Sequence, residues 1–147
     1  MTGDGPQGLE AALLAHAAAE GLTVDTETIR GGANGFIDRA GRRIAVGDQL
    51  DGAARCKTLA HELAHWHDLG ADRSTVGEAD RAAAEIVAEA VAFVVGNTAG
   101  LDTSDYSAGY VLEWARGNVD VLKAAAESID RAARPILASL EREAVAA

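Results

Sequence analysis

Two histidines four positions apart, with a glutamate just after the first, limit this chain more than any other feature: His61-Glu62-Leu63-Ala64-His65. On an α-helix, at 3.6 residues per turn, His61 and His65 lie about 40° apart around the axis, so both imidazoles can reach one metal ion. Glu62 falls within reach of a water at that ion. The flanking residues favour the helix, which is predicted over 52–69. Asp51 is placed to cap it and Gly70 to stop it. Cys56, Leu59, Leu63, Trp66 and Leu69 recur at helical spacing and form one apolar stripe, with the histidines opposite. A shuffled chain of this composition would carry the motif about once in a hundred tries or fewer.

The chemistry of His-Glu-x-x-His is that of zinc peptidases: two nitrogen ligands, and a carboxylate that takes a proton from water as it attacks a carbonyl. A catalytic zinc site normally has three protein ligands and one open position. Neither remaining histidine reads as the third. His67 lies about 200° around the helix from His65, and His16 is isolated in sequence. A second helix, predicted from the capping box Thr75-Val76-Gly77-Glu78 to about Val95 and ending before Gly96, supplies carboxylates instead. Glu78, Glu85 and Glu89 share one face of it, with Arg81 one turn before Glu85. Ala82, Ala83, Ala84, Ala88 and Ala92 would let the two helices approach closely. Arg81 can orient Glu85 or form an ordinary surface ion pair, and Glu78 reads as part of a solvated acidic face.

Around this pair the chain reads as mostly helical α+β. Met1–Gly8 is expected to be a loose terminus, Leu9–Glu20 a helix stopped by Gly21, and Leu22–Ile29 a weakly patterned strand. After the turn cluster Gly31–Gly35, Phe36-Ile37-Asp38 and Arg43–Val46 flank Arg39-Ala40-Gly41 as a β-hairpin. A third long helix opens near Asp102 or Thr103 and carries Tyr106, Tyr110, Leu112 and Trp114. A last one spans Val119–Ala146, with Pro135 expected to kink or split it. Tyr106 and Tyr110 are candidates to donate to an oxyanion, although such a pair is more often core packing. Cys56 reads as an inert buried thiol, and Trp66 and Trp114 as core anchors.

Composition excludes several functions. The chain has 147 residues, the size of one domain, and a formal net charge of −10. Arg39, Arg42, Arg43, Arg55 and Lys57 are its nearest approach to a basic cluster, so direct nucleic-acid binding is not expected. One cysteine rules out an intramolecular disulfide framework or a Cys-rich zinc knuckle. With no secretion signal or membrane span in the sequence, a cytoplasmic location is expected.

Three segments together carry a resemblance. Lys57-Thr58-Leu59-Ala60-His61-Glu62-Leu63-Ala64-His65, Ala88-Glu89-Ala90-Val91-Ala92-Phe93-Val94-Val95 and Gly100-Leu101-Asp102-Thr103-Ser104-Asp105-Tyr106-Ser107 resemble the metallopeptidase domain of plasmid antirestriction proteins, a relative of the ImmA/IrrE-like peptidases. More broadly, Glu85-Ile86-Val87-Ala88-Glu89 after the histidine helix resembles the gluzincin pattern. With the Gly35–Val46 hairpin, the likeness covers roughly residues 30 to 116. It implies a minimal zincin fold, with a small antiparallel sheet ahead of the histidine helix, as a single domain binding Zn2+. By position it makes Glu85 the third ligand and Glu89 the support of a ligating histidine. Relatives often carry a further acidic residue where this chain has Val87, which leaves Glu85 or Glu89 as the ligand; geometry and spacing favour Glu85.

The leading expectation is a zinc metalloendopeptidase acting on a protein partner inside the cell, such as a regulator or a defence protein. The Gly35–Val46 hairpin would hold an extended peptide by strand addition. The alternative is a non-catalytic acidic binding protein, with zinc as a staple, that occupies a DNA-binding enzyme. Antirestriction relatives carry an additional N-terminal nucleic-acid-binding domain absent from this sequence, so that activity is not transferred.

Overall fold

The computed structural model describes residues 7–68, 78–100, 116 and 118–146. Its elements are α1 (Gln7–Ala19), β1 (Thr23–Glu27), β2 (Gly35–Asp38), β3 (Arg43–Gly47), α2 (Gly52–His67), α3 (Glu78–Thr98) and α4 (Val119–Ala146). This is the mostly helical α+β arrangement expected, with a small sheet ahead of the histidine helix. The sheet is mixed rather than purely antiparallel. β3 lies in the middle, parallel to β1 from Thr23↔Arg43 to Glu27↔Gly47 and antiparallel to β2 from Gly35↔Val46 to Asp38↔Arg43. Its inner position explains why Ile44, Ala45 and Val46 are all buried, while residues exposed in turn along β1 and β2 mark edge strands.

The hairpin turn closes through Gly41 N–H donating to Asp38 Oδ1 at 3.0 Å, and Arg42 takes up the left-handed backbone at φ 51°. Gly35 matters for another reason. A Cβ there would lie 2.7 Å from the backbone oxygen of Ala45 and 2.6 Å from Thr58 Cγ2, so the absence of a side chain lets β2 press against both β3 and α2.

Helix ends account for most differences from expectation. α1 begins at Gln7, so Gln7 and Gly8 belong to the helix rather than to a loose terminus; Leu9, buried in the core, anchors its first turn. α2 starts as expected, with the Asp51 carboxylate accepting from Ala54 N–H at 2.8 Å. It stops at His67 instead of Leu69. Asp68 N–H closes the last turn on Ala64 O, and the Arg39 guanidinium donates to the carbonyls of His65, Trp66 and Asp68. A cation therefore satisfies acceptors that a helix end leaves unpaired.

α3 runs through Gly96, which is buried, and ends at Thr98. The left-handed glycine beyond it is Gly100, at φ 84°, whose N–H reaches Asn97 O at 3.2 Å. α4 opens under the Asn118 side chain, which accepts from Asp120 and Val121 N–H. It continues unbroken through Pro135, so the expected split does not occur; buried Ala132, Ala133 and Ile136 on either side hold it together. The capping box from Thr75 and the helix carrying Tyr106, Tyr110, Leu112 and Trp114 lie outside the described residues.

α2 is buried on more than its apolar stripe. Cys56, Leu59 and Leu63 join a core with Leu13, Ile44, Val91, Val95 and Ile136, and Ala60 and Ala64 are buried as well. α3 is the element it packs against most widely. Of the five alanines expected at that contact, Ala84, Ala88 and Ala92 are buried, whereas Ala82 is exposed and Ala83 half-buried. The histidine helix is thus held from the sheet side by β2 and β3, and from the other by α3.

Candidate metal centre

His61 and His65 project from α2 toward α3, one turn apart, and Glu85 meets both from the third turn of α3. Their donor atoms form a compact triangle with the two carboxylate oxygens of Glu85 sharing one corner, one facing each histidine. His61 Nε2 and His65 Nε2 are 3.2 Å apart, His61 Nε2 lies 3.1 Å from Glu85 Oε2, and His65 Nε2 lies 3.1 Å from Glu85 Oε1. Bonds of about 2.0–2.1 Å in tetrahedral geometry place donors roughly 3.3 Å apart, so this triangle needs little adjustment to hold a divalent ion. Two imidazoles and one carboxylate are also a donor set that such ions accept.

Glu89, one turn beyond Glu85, contacts the other nitrogen of His61. Its Oε1 lies 3.0 Å from His61 Nδ1, and its Oε2 lies 3.9 Å from Lys57 Nζ. Accepting the Nδ1 proton fixes the ring's orientation and leaves Nε2 facing Glu85 and His65. Burial acts to depress the His61 pKa, but the hydrogen bonds to Glu85 and Glu89 outweigh it and push it up to about 9. In the metal-free chain His61 is therefore an imidazolium between two carboxylates, and a proton holds charge where an ion would. The same hydrogen bond from His61 holds the Glu89 carboxyl below its usual range, against burial. His65 is only 3% exposed, so its ring is fixed by packing.

Glu62 is buried beside this triangle, 7% exposed, and its charge contributes to the raised pKa of His61. The other sequence candidates separate clearly. Arg81 is exposed one turn before Glu85. The side chains of Glu78, Tyr106 and Tyr110 lie outside the described residues. Val87 is buried in the hydrophobic core, away from the donor triangle. Cys56 is buried and its thiol is pushed up to about 11 by burial, which makes it unreactive. Trp66 is a half-buried anchor; its indole N–H donates to Glu20 Oε1, and the Arg39 and Arg42 guanidinium groups stack on its ring.

The two remaining histidines stay apart from this centre, as expected, but they meet each other. His16, isolated in sequence, is not isolated in space: its Nε2 lies 2.8 Å from His67 Nε2, on the far side of α2 from His65. The signal in the sequence was the His16–Glu20 spacing of four at the end of α1, which puts both side chains on one face.

A helix bearing paired histidines, packed against a small sheet and joined by a glutamate from the following helix, defines a metal-binding zincin-type domain. The family model for zincin-like metallopeptidases matches residues 43–135, and the chain belongs to that family. Two crystal structures of the antirestriction protein ArdC from plasmid R388 share the fold. The Mn(II)-bound form aligns with a TM-score of 0.64 at 22% identity, over 94% of this chain and 54% of that one. The metal-free form aligns with a TM-score of 0.59 at 20% identity, over 97% and 53%. The chain thus spans about half the length of the ArdC protein it resembles. No curated protein sequence matches it. Among the described residues, no helix is long and apolar enough to cross a membrane.

Proposed function

We propose that this chain is a zinc-dependent peptidase acting on a protein partner inside the cell. The observation that carries the reading is the His61–His65–Glu85 triangle with the buried Glu62 carboxylate beside it. His61, His65 and Glu85 are the residues that hold the ion, and a bound divalent ion there acidifies water and polarises a carbonyl. Glu62 is the general base: it accepts the proton of the attacking water and passes it to the leaving amine. Glu89 keeps His61 in the tautomer that presents Nε2. Among the described residues β2 is an edge strand next to α2, so its outer side can take an extended peptide by strand pairing. Regulators and defence proteins are the substrate class that the antirestriction likeness favours, and the −10 charge favours basic segments within them.

That charge also supports a second reading, a non-catalytic acidic protein that occupies the nucleic-acid site of a DNA-binding enzyme and uses the ion as a staple. Glu62→Gln separates the two. The test is cleavage of an unfolded protein substrate by zinc-loaded protein, with metal content measured in parallel. A peptidase loses about 10²–10⁴-fold of its rate while keeping its zinc. Unchanged activity in a zinc-loaded Glu62→Gln protein would sink the peptidase reading.

A further inference from the structure

We propose that the chain carries a second site for a first-row divalent cation, built from His16, Glu20 and His67, that clips α1 to the end of α2. The ligand atoms of these three residues all lie within 4.8 Å of one another. His16 and Glu20 stand one turn apart where α1 ends, with Glu20 N–H still bonded to His16 O, and His67 is the last residue of α2. Chain positions 16 and 67 are brought together only by the packing of the two helices.

The immediate surroundings are arranged as they are around ligating histidines. His16 is 4% exposed, and its Nδ1 lies 2.5 Å from Ser139 Oγ of α4, an oxygen that also accepts from Arg142 Nη2 at 2.9 Å. With Nδ1–H donated to that hydroxyl, Nε2 is left with its lone pair turned toward His67. Burial lowers the His16 pKa, so the ring is neutral near pH 7. Trp66 Nε1 donates to Glu20 Oε1 at 3.0 Å, which orients the carboxylate and leaves its second oxygen to bind.

The two Nε2 atoms face each other at 2.8 Å, a contact that needs one positive charge or one shared proton between them. A divalent ion replaces that proton if the rings separate to roughly 3.3 Å. Two nitrogens and one carboxylate oxygen select zinc or a similar transition metal over magnesium or calcium, which require oxygen-rich sites. Arg142 and Arg39 act electrostatically on His16 and His67 and oppose a cation. This site is therefore the weaker of the two, and its role is to tie helices rather than to activate water.

Zinc titration of the full chain, read by elemental analysis and by the visible absorption of added Co2+, tests the proposal. The wild type is expected to take two equivalents and His67→Gln one. His61→Ala/His65→Ala is expected to keep one equivalent, and its melting midpoint to rise by about 5–10 °C at a hundredfold excess of zinc over Kd. Adding Glu20→Gln to that background weakens the remaining site at least tenfold. One equivalent in both wild type and His67→Gln overturns the proposal. So does a cooperatively melting His61→Ala/His65→Ala protein that binds no zinc. His67 is half-buried, so its substitution is gentler on folding than loss of the buried His16.

Discussion

Two clusters of the same composition, two histidines and one glutamate, flank a single helix, yet they differ in nearly every physical respect. His61, His65 and Glu85 are drawn from α2 and the helix that packs on it; His16, Glu20 and His67 come from the closing turns of α1 and α2. In the first, carboxylates surround a histidine and raise its pKa; in the second, burial and nearby cations lower both histidines. The first is poised for a cation and has a buried carboxylate, Glu62, beside it. The second is held in place by Ser139 and Trp66. Donor identity alone, then, does not describe either cluster; the charges and bases around the donors distinguish the two.

The largest effects should come from residues that belong to one cluster only. Glu62→Gln is expected to cost about 10²–10⁴ in peptide hydrolysis, whereas His67→Gln leaves the rate per first-site zinc unchanged. Steady-state cleavage by the two variants, normalised to metal content, breaks the comparison if both fall equally.

Stability of the metal-free protein should respond to pH with opposite signs in the two places. His61 is raised in the folded state, so its contribution is complete below pH 6.5 and is lost as pH rises through about 9. An upper bound is about 3 kcal/mol, reduced because Glu85 and Glu89 are partly exposed to solvent. His16 is lowered, so its contribution is present above pH 6.5 and is lost as pH falls below it. Thermal melts in a chelator from pH 5 to pH 10 should therefore show decline on both sides. His61→Ala should flatten the alkaline side, and His16→Gln the acid side.

Smaller changes sharpen the contrast further. Glu89→Ala should weaken zinc at the first cluster about 10–100-fold, because His61 loses the acceptor for Nδ1, while leaving the second cluster untouched; competition with a chelator of known affinity measures it. Asp51→Ala serves as the common control. It removes the cap of the helix both clusters share and should cost about 1 kcal/mol in chemical denaturation without favouring either.

The histidine pair of the first cluster was legible in the sequence because its geometry is local, and the family resemblance added Glu85 to it. Spacing of four puts His61 and His65 on one face, and the same rule placed Glu85 and Glu89 together on the next helix. The mostly helical fold, the hairpin and the Asp51 cap followed from periodicity and turn residues in the same way. What could not be read depended on contacts distant in sequence. The meeting of His16 with His67 needs the packing of α1 against α2, and the early end of α2 needs Arg39 from the hairpin. Local breakers also misled. Gly96 and Pro135 look like stops in isolation, but burial on both sides carries α3 and α4 through them.

Gly35 has a consequence for anyone mapping this protein by saturation mutagenesis. Any side chain at that position collides with the Ala45 carbonyl and with Thr58, one turn before the first histidine. Its tolerance profile will therefore look as narrow as that of a metal ligand, although it offers no atom to bind anything. Only an assay that scores folding separately from turnover will distinguish a residue required for its chemistry from one required for having none.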